Sequence, residues 1–181
     1  MKINNSIKKI VINCFAIFGF ISLIAIIVLG GYLTYSLTLG NKTEIDKAKI
    51  SDVRFVLNWC ELGDGKIEKV LKSSVSATGF SGDYHDAYLI KIKSLNENEL
   101  KNIQSNGKWF RGDNLPKILD DAISFATEFN GETPWFTNEK NIKTSDCYIY
   151  SNSIDCNGLS PRAVQLIILK QKLVYYIGVS I

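Results

Sequence analysis

The sequence predicts an α+β domain carried behind one transmembrane helix. Three features point there: an uncharged run of 32 residues near the start, short segments whose apolar residues alternate, and one long segment with apolar residues three and four apart. Strands and helices that segregate along a chain in this way give an antiparallel sheet with one or two helices on one face.

The uncharged run extends from Ile10 to Asn41, and its dense part, Ile10 to Leu29, is 20 residues long. At about 1.5 Å per residue, a helix of that length matches a hydrocarbon core of roughly 30 Å. In lipid the backbone must satisfy its own hydrogen bonds, which requires a helix. Tyr32 and Tyr35 fall where it leaves the acyl region, an interface that suits amphipathic rings. The rival is a cleaved secretory signal, whose apolar stretch is usually about 7–15 residues before a small-residue site. This stretch is longer, and Gly30-Gly31-Tyr32 and Val11-Ile12-Asn13-Cys14 make poor processing sites. The span holds only uncharged polar residues (Asn13, Ser22, Thr34, Ser36, Thr38) and no G-x-x-x-G pattern, so it reads as an anchor.

Three lysines precede the span (Lys2, Lys8, Lys9) and three follow it closely (Lys42, Lys47, Lys49), so lysine number alone does not orient it. The short N-terminal tail and large C-terminal part favour export of the latter. The expected layout is a cytoplasmic tail at 1–9, a transmembrane helix at 10–33, a stalk at 34–51 and an extracytoplasmic α+β domain at 52–181. The compartment expected is the cell inner membrane, and the abundance of lysine and asparagine hints at a bacterial source.

The net charge of +3 does not signal nucleic-acid binding, because of where it lies. Residues 1–42 carry four lysines and no acid, while 43–181 carry 14 lysines and 3 arginines against 18 acids, a net of −1. The domain lacks the basic surplus that releases counterions from a phosphate backbone.

Within the domain, Val53, Phe55, Leu57 and Trp59 alternate as in a half-buried strand, and Gly63-Asp64-Gly65 supplies a turn. Residues 67–78 fit either a helix or a strand; a hairpin partner for 53–60 is the reading adopted. Tyr88, Ile90 and Ile92 mark a further strand, with Lys91 and Lys93 opposite. A capping box at Ser94-x-x-Glu97 and a stop at Asn106-Gly107 frame a short helix at about 95–104. Leu115, Ile118, Leu119, Ala122, Ala126 and Phe129 form one apolar stripe of a second helix. Asp113 or Asn114 can cap it, Pro116 sits in its first turn, and Asn130-Gly131 closes it. Val164–Leu169 and Leu173–Ile181 read as strands joined by the Lys170-Gln171-Lys172 link.

Cys14 lies in the span; Cys60, Cys147 and Cys156 lie in the domain. In an oxidising compartment, a turn near Ser151–Ser153 would bring Cys147 and Cys156 within bridging reach, contributing about 2–3 kcal/mol; two buried thiols are the alternative. No C-x-x-C occurs.

Chemistry-bearing patterns are sparse. The cluster Asp83, His85, Asp86 offers the carboxylate-and-imidazole set of a general base or a metal site, although neighbours in a strand face opposite ways. The simpler reading is a turn before a strand at 87–93, with His85 half exposed. No G-x-S-x-G, H-E-x-x-H, P-loop or G-x-G-x-x-G pattern is present, and the sequence gives no sign of a cofactor or a metal. Ser105-x-x-Lys108 and Arg111-Gly112-Asp113 match short motifs without the context those motifs need. Trp109-Phe110-Arg111 and Trp135-Phe136 bracket the second helix, and these residue types are enriched at protein contacts. They form either a partner surface or a lid over the helix ends. The functional expectation is a membrane-anchored interaction domain with a protein partner, of the build seen in immunity, inhibitor or envelope accessory proteins. The alternative is a membrane-tethered hydrolase using Asp83, His85 and Asp86.

Overall fold

A computed structural model describes residues 5–38, 42–77, 82–128 and 133–181. The chain divides into two units, Met1–Lys42 and Thr43–Ile181.

The first unit is the helix α1 (Asn5–Thr38), and its stretch Ile12–Tyr35 is 24 residues long, apolar enough to cross a membrane and not buried by the protein. Thr34 donates its hydroxyl to the Gly30 carbonyl at 2.8 Å, so this polar group is satisfied within the helix. One candidate membrane-spanning helix is therefore present near the N-terminus. It continues through Thr38, into what the sequence suggested was stalk.

The second unit is an antiparallel sheet of seven strands: β1 (Glu44–Ile45), β2 (Ile67–Val75), β3 (Tyr84–Ile92), β4 (Trp109–Arg111), β5 (Cys147–Asn157), β6 (Ser160–Lys170) and β7 (Leu173–Ser180). Their order across the sheet is β1-β2-β3-β7-β6-β5-β4. The expected α+β class holds, and the helices distribute over both faces. On the first face lie α2 (Ile50–Trp59) and α3 (Glu97–Ser105); on the second lie α4 (Lys117–Glu128) and the short α5 (Glu139–Ile142). Strand parity assigns the rest. Tyr88, Ile90, Ile92, Ile167, Leu169, Val174 and Tyr176 join the first core, and Ala87, Ile149, Val164, Leu166, Ile168, Ile177 and Val179 join the second.

Segment 50–59 departs most from expectation: it is helix α2, not a strand, and β2 pairs with β1 and β3 instead of with it. The run Val53-Arg54-Phe55-Val56-Leu57-Asn58-Trp59 satisfies both periods. Val53, Val56, Leu57 and Cys60, at helical spacing, are the residues buried to 1% exposure or less. Asp52 sets the start by accepting the Lys49 backbone N–H at 2.8 Å. In a helix Phe55 and Trp59 are one turn apart, and their rings meet at 4.5 Å. Residues 44–45 belong to the sheet, so the second unit begins before the expected 52.

The short helix α3 forms near its expected place, but its box is Asn96 with Glu99, two residues past Ser94 and Glu97. In α4 the buried stripe is Leu119, Ala122, Ile123 and Ala126, whereas Ile118 is 54% exposed. Phe129 and the Asn130-Gly131 stop lie outside the described residues. The β6–β7 hairpin forms as expected, pairing Lys170 with Leu173 and placing Gln171 at φ +56°. Beyond β4, buried Gly112 lets the chain at 142–144 cross closely, since a Cβ there would stand 2.2 Å from the Ile142 carbonyl oxygen.

Candidate functional site

The Asp83, His85, Asp86 cluster does not assemble. His85 and Asp86 are successive residues of β3, so they lie on opposite faces, while Asp83 is exposed before the strand. His85 is buried at 8% exposure, against the half exposure expected of a turn residue. It sits opposite Val179 of β7, and its backbone N–H donates to Ser76 Oγ at 2.7 Å. Among the described residues no group of three His, Cys, Asp or Glu side chains is placed to hold a metal ion.

Asp86 lies on the first face. Its Oδ1 accepts the Ser76 backbone N–H at 3.0 Å and sits 3.5 Å from the Ser76 hydroxyl. Burial raises its pKa above the ordinary carboxylate range, against the opposing Ser76 hydrogen bonds and His85. The Tyr88 phenol is pushed up to about 12 by burial, with the charges of Asp86 and Asp52 adding to it. Tyr176 is also raised, first by burial and then by Tyr84, Asp86 and Tyr88.

The two aromatic pairs pack differently, the first divided between the faces and the second on one face. Trp109 enters the first core, where its ring meets Tyr150 at 5.5 Å, while Phe110 packs on the second core. Phe136 is buried at 6% exposure against Tyr175, and Trp135 rests half-buried beside it. The adjacent rings of β4 are thus housed by a sheet covered on both sides. Trp135 and Phe136 serve as packing over the second face, the lid alternative.

Around β4 the candidates do gather. Trp109, Phe110, Arg111, Gln104, Asn114 and Tyr148 line an open groove of about 440 Å³ at the sheet edge. Gln104 reaches from the end of α3 to donate to the Tyr148 hydroxyl at 2.9 Å. Arg111 is clamped by Asp113 through two hydrogen bonds of 2.5 and 2.9 Å, which fixes its guanidinium along the rim. The Gly112 N–H donates to the Cys147 carbonyl at 2.9 Å. Antiparallel alternation then directs the Phe110 backbone groups at β5 and those of Trp109 and Arg111 outward. The Arg111 carbonyl accepts the Asn114 N–H, and among the described residues the Arg111 N–H and both groups of Trp109 have no backbone partner. Gln104, Asn114 and Tyr148 were not evident from sequence, because they come from three different elements.

Of the two alternatives for Cys147 and Cys156, the candidate bridge does not form: both thiols are free. They occupy opposite ends of β5, where a rise of about 3.3 Å per residue holds them roughly 30 Å apart. Ser151–Ser153 forms a bulge within the strand, not a turn. Cys60 is buried, and its thiol is pushed up to about 12 by burial, so it stays protonated.

Comparison with protein families, with characterised proteins and with solved structures finds no match to this chain.

Proposed function

We propose that this chain is a single-pass membrane protein that binds an extended segment of another polypeptide along the outer edge of β4. One observation carries the reading. The edge strand with outward backbone groups borders the groove that collects Trp109, Phe110, Arg111, Gln104, Asn114 and Tyr148. A strand added there gains main-chain hydrogen bonds, and its alternate side chains meet the aromatic and amide lining. The division of Asp83, His85 and Asp86 between two faces and a loop speaks against the hydrolase alternative. In the same proposal, α1 anchors the protein in the cell inner membrane with its N-terminus in the cytoplasm. Residues 43–181 then stand outside, as in immunity, inhibitor or envelope accessory proteins.

Two experiments test this. A photoreactive phenylalanine at Asn114 is expected to capture one defined protein in intact cells, and the same group at Lys140 on α5 is not. Equal capture from both positions, or none from Asn114, would refute the edge. For topology, a Leu159→Cys variant should react with a membrane-impermeant maleimide in intact cells. Leu159, 95% exposed at the β5–β6 hairpin tip, would stay unlabelled until lysis if the domain were cytoplasmic.

A further inference from the structure

The two edges of the sheet differ. At the β2 edge, Asp46 donates its backbone N–H to the Ser73 carbonyl at 2.8 Å and accepts the Ser73 N–H through Oδ1 at 3.1 Å. Two register shifts interrupt the β2–β3 pairing, and Glu68, Lys69 and Lys72 are exposed along β2. Bulges and charges of this kind guard an edge against a further strand. At the other edge β4 pairs with β5 without a shift, and its one charge, Arg111, is tied to Asp113.

The β4 edge is also complementary to itself. Its outward backbone groups belong to Trp109 and Arg111, with Phe110 between them. In antiparallel pairing about a two-fold axis at Phe110, each Trp109 meets the second copy's Arg111. The Arg111 N–H then donates to the Trp109 carbonyl. The Trp109 N–H donates to the Arg111 carbonyl, which has a second lone pair beside the one Asn114 uses. An axis at Trp109 or at Arg111 would instead set the remaining residue against a position outside the strand.

Side chains match in that same register. The half-buried Phe110 stands across from its own copy at about 4.5 Å between Cα atoms, the closer spacing of the two that alternate along antiparallel strands, where paired rings stabilise. On the first face Arg111, with its side chain 55% exposed, lies opposite the groove wall of Trp109, Tyr148 and Gln104. Its Nε and Nη2 hold Asp113, so the guanidinium brings its flat face and Nη1 to the rings and side-chain oxygens of that wall. Each arginine faces a tryptophan and not another arginine, and each is neutralised by its own Asp113.

We propose, resting on the strand addition at β4 described above, that the polypeptide received there is a second copy of this chain. Two seven-stranded sheets join edge to edge about the axis at Phe110.

The test is sedimentation equilibrium of the full-length chain in detergent, which should give twice the chain mass at micromolar concentration. In a Cys14→Ser, Cys156→Ser background, Phe110→Cys should form a disulfide-linked dimer with copper-phenanthroline, and Lys140→Cys on α5 should not. Arg111→Ala should weaken the dimer about threefold and Arg111→Pro at least about thirtyfold, because proline removes an N–H on each side of the axis. Should Phe110→Cys fail to fold by circular dichroism, the two Arg111 variants decide. A monomer whose Asn114 probe captures a different protein would overturn self-pairing and leave strand addition at β4 standing. A monomer with no capture would overturn both. A dimer that Arg111→Pro leaves unchanged would place the contact elsewhere and overturn self-pairing.

Discussion

The two faces of one sheet have been put to different use. The second face is closed by α4, α5 and the Trp135-Phe136 segment over Ile149, Val164, Leu166, Ile168 and Ile177, all 1% exposed or less. The first face mixes its apolar core with Phe55, Trp59, Tyr88, Tyr150 and Tyr176, and beyond that core leaves the polar row of Asp86 and Gln165. Closure supplies stability through burial, at about 25 cal/mol per Å² of apolar surface. The polar row contributes less of that burial and is held by hydrogen bonds, Asp86 accepting from Ser76 and Gln165 linking Asn152 to Tyr84. Both faces thus bury a core, and they differ in what lines its margin: apolar packing on the second face, aromatic and polar side chains on the first.

Variants that cut into each region test this contrast, beginning with the largest effect. Leu166→Ala removes a fully buried side chain from the closed face and should cost about 3 kcal/mol, a fall of roughly 10 °C in the thermal midpoint. A loss under about 1 kcal/mol would show that this face is not what holds the sheet. Gly112→Ala should cost about 1–3 kcal/mol, because its Cβ would meet the Ile142 carbonyl oxygen at 2.2 Å and the Thr144 carbonyl oxygen at 2.6 Å. Denaturant unfolding reads the change directly.

Asp86→Asn should act in the opposite direction. Burial lifts the folded pKa of Asp86 above its unfolded value, so ionisation costs stability. That cost is absent below the unfolded pKa, near 4, and develops as pH rises through the folded one. The asparagine variant should therefore melt higher than the parent at pH 7 and level with it at pH 3.5. A variant that melts lower at pH 7 would show that the hydrogen bonds from Ser76 to the carboxylate outweigh the cost of its burial. The smallest effect is chemical: in the native protein at pH 8, Cys60 should resist a maleimide that labels the half-buried Cys156. Equal labelling would mean that the first core opens readily.

Much of this organisation was legible in the chain because it rests on period and length. The apolar run, the β6–β7 hairpin, the α3 and α4 segments and the opposed faces of His85 and Asp86 all follow from local pattern. What was hidden depends on tertiary context. Segment 50–59 carries apolar residues at both spacings, so only the partner surface selects the helix. In β5, Cys147-Tyr148-Ile149-Tyr150 continues into Ser151-Asn152-Ser153, whose polarity resembles a turn. Pairing with β6 keeps it extended, and that extension also prevents the Cys147–Cys156 bridge. For Trp109 and Phe110 the choice between a partner surface and a lid turned on whether both sides of their strand are covered, which the sequence did not disclose. The groove draws on α3, β4, the following turn and β5, a convergence that no single stretch of sequence encodes.

The most direct test of edge binding uses the polypeptide captured from position 114 and compares Arg111→Pro with Arg111→Ala. Both remove the guanidinium, but only proline removes the outward N–H, and it leaves the inward bonds of Phe110 and Gly112 to β5 in place. Proline should weaken binding at least tenfold more than alanine does, with both thermal midpoints within a few degrees of the parent. Equal affinities for the two variants would contradict strand addition at β4.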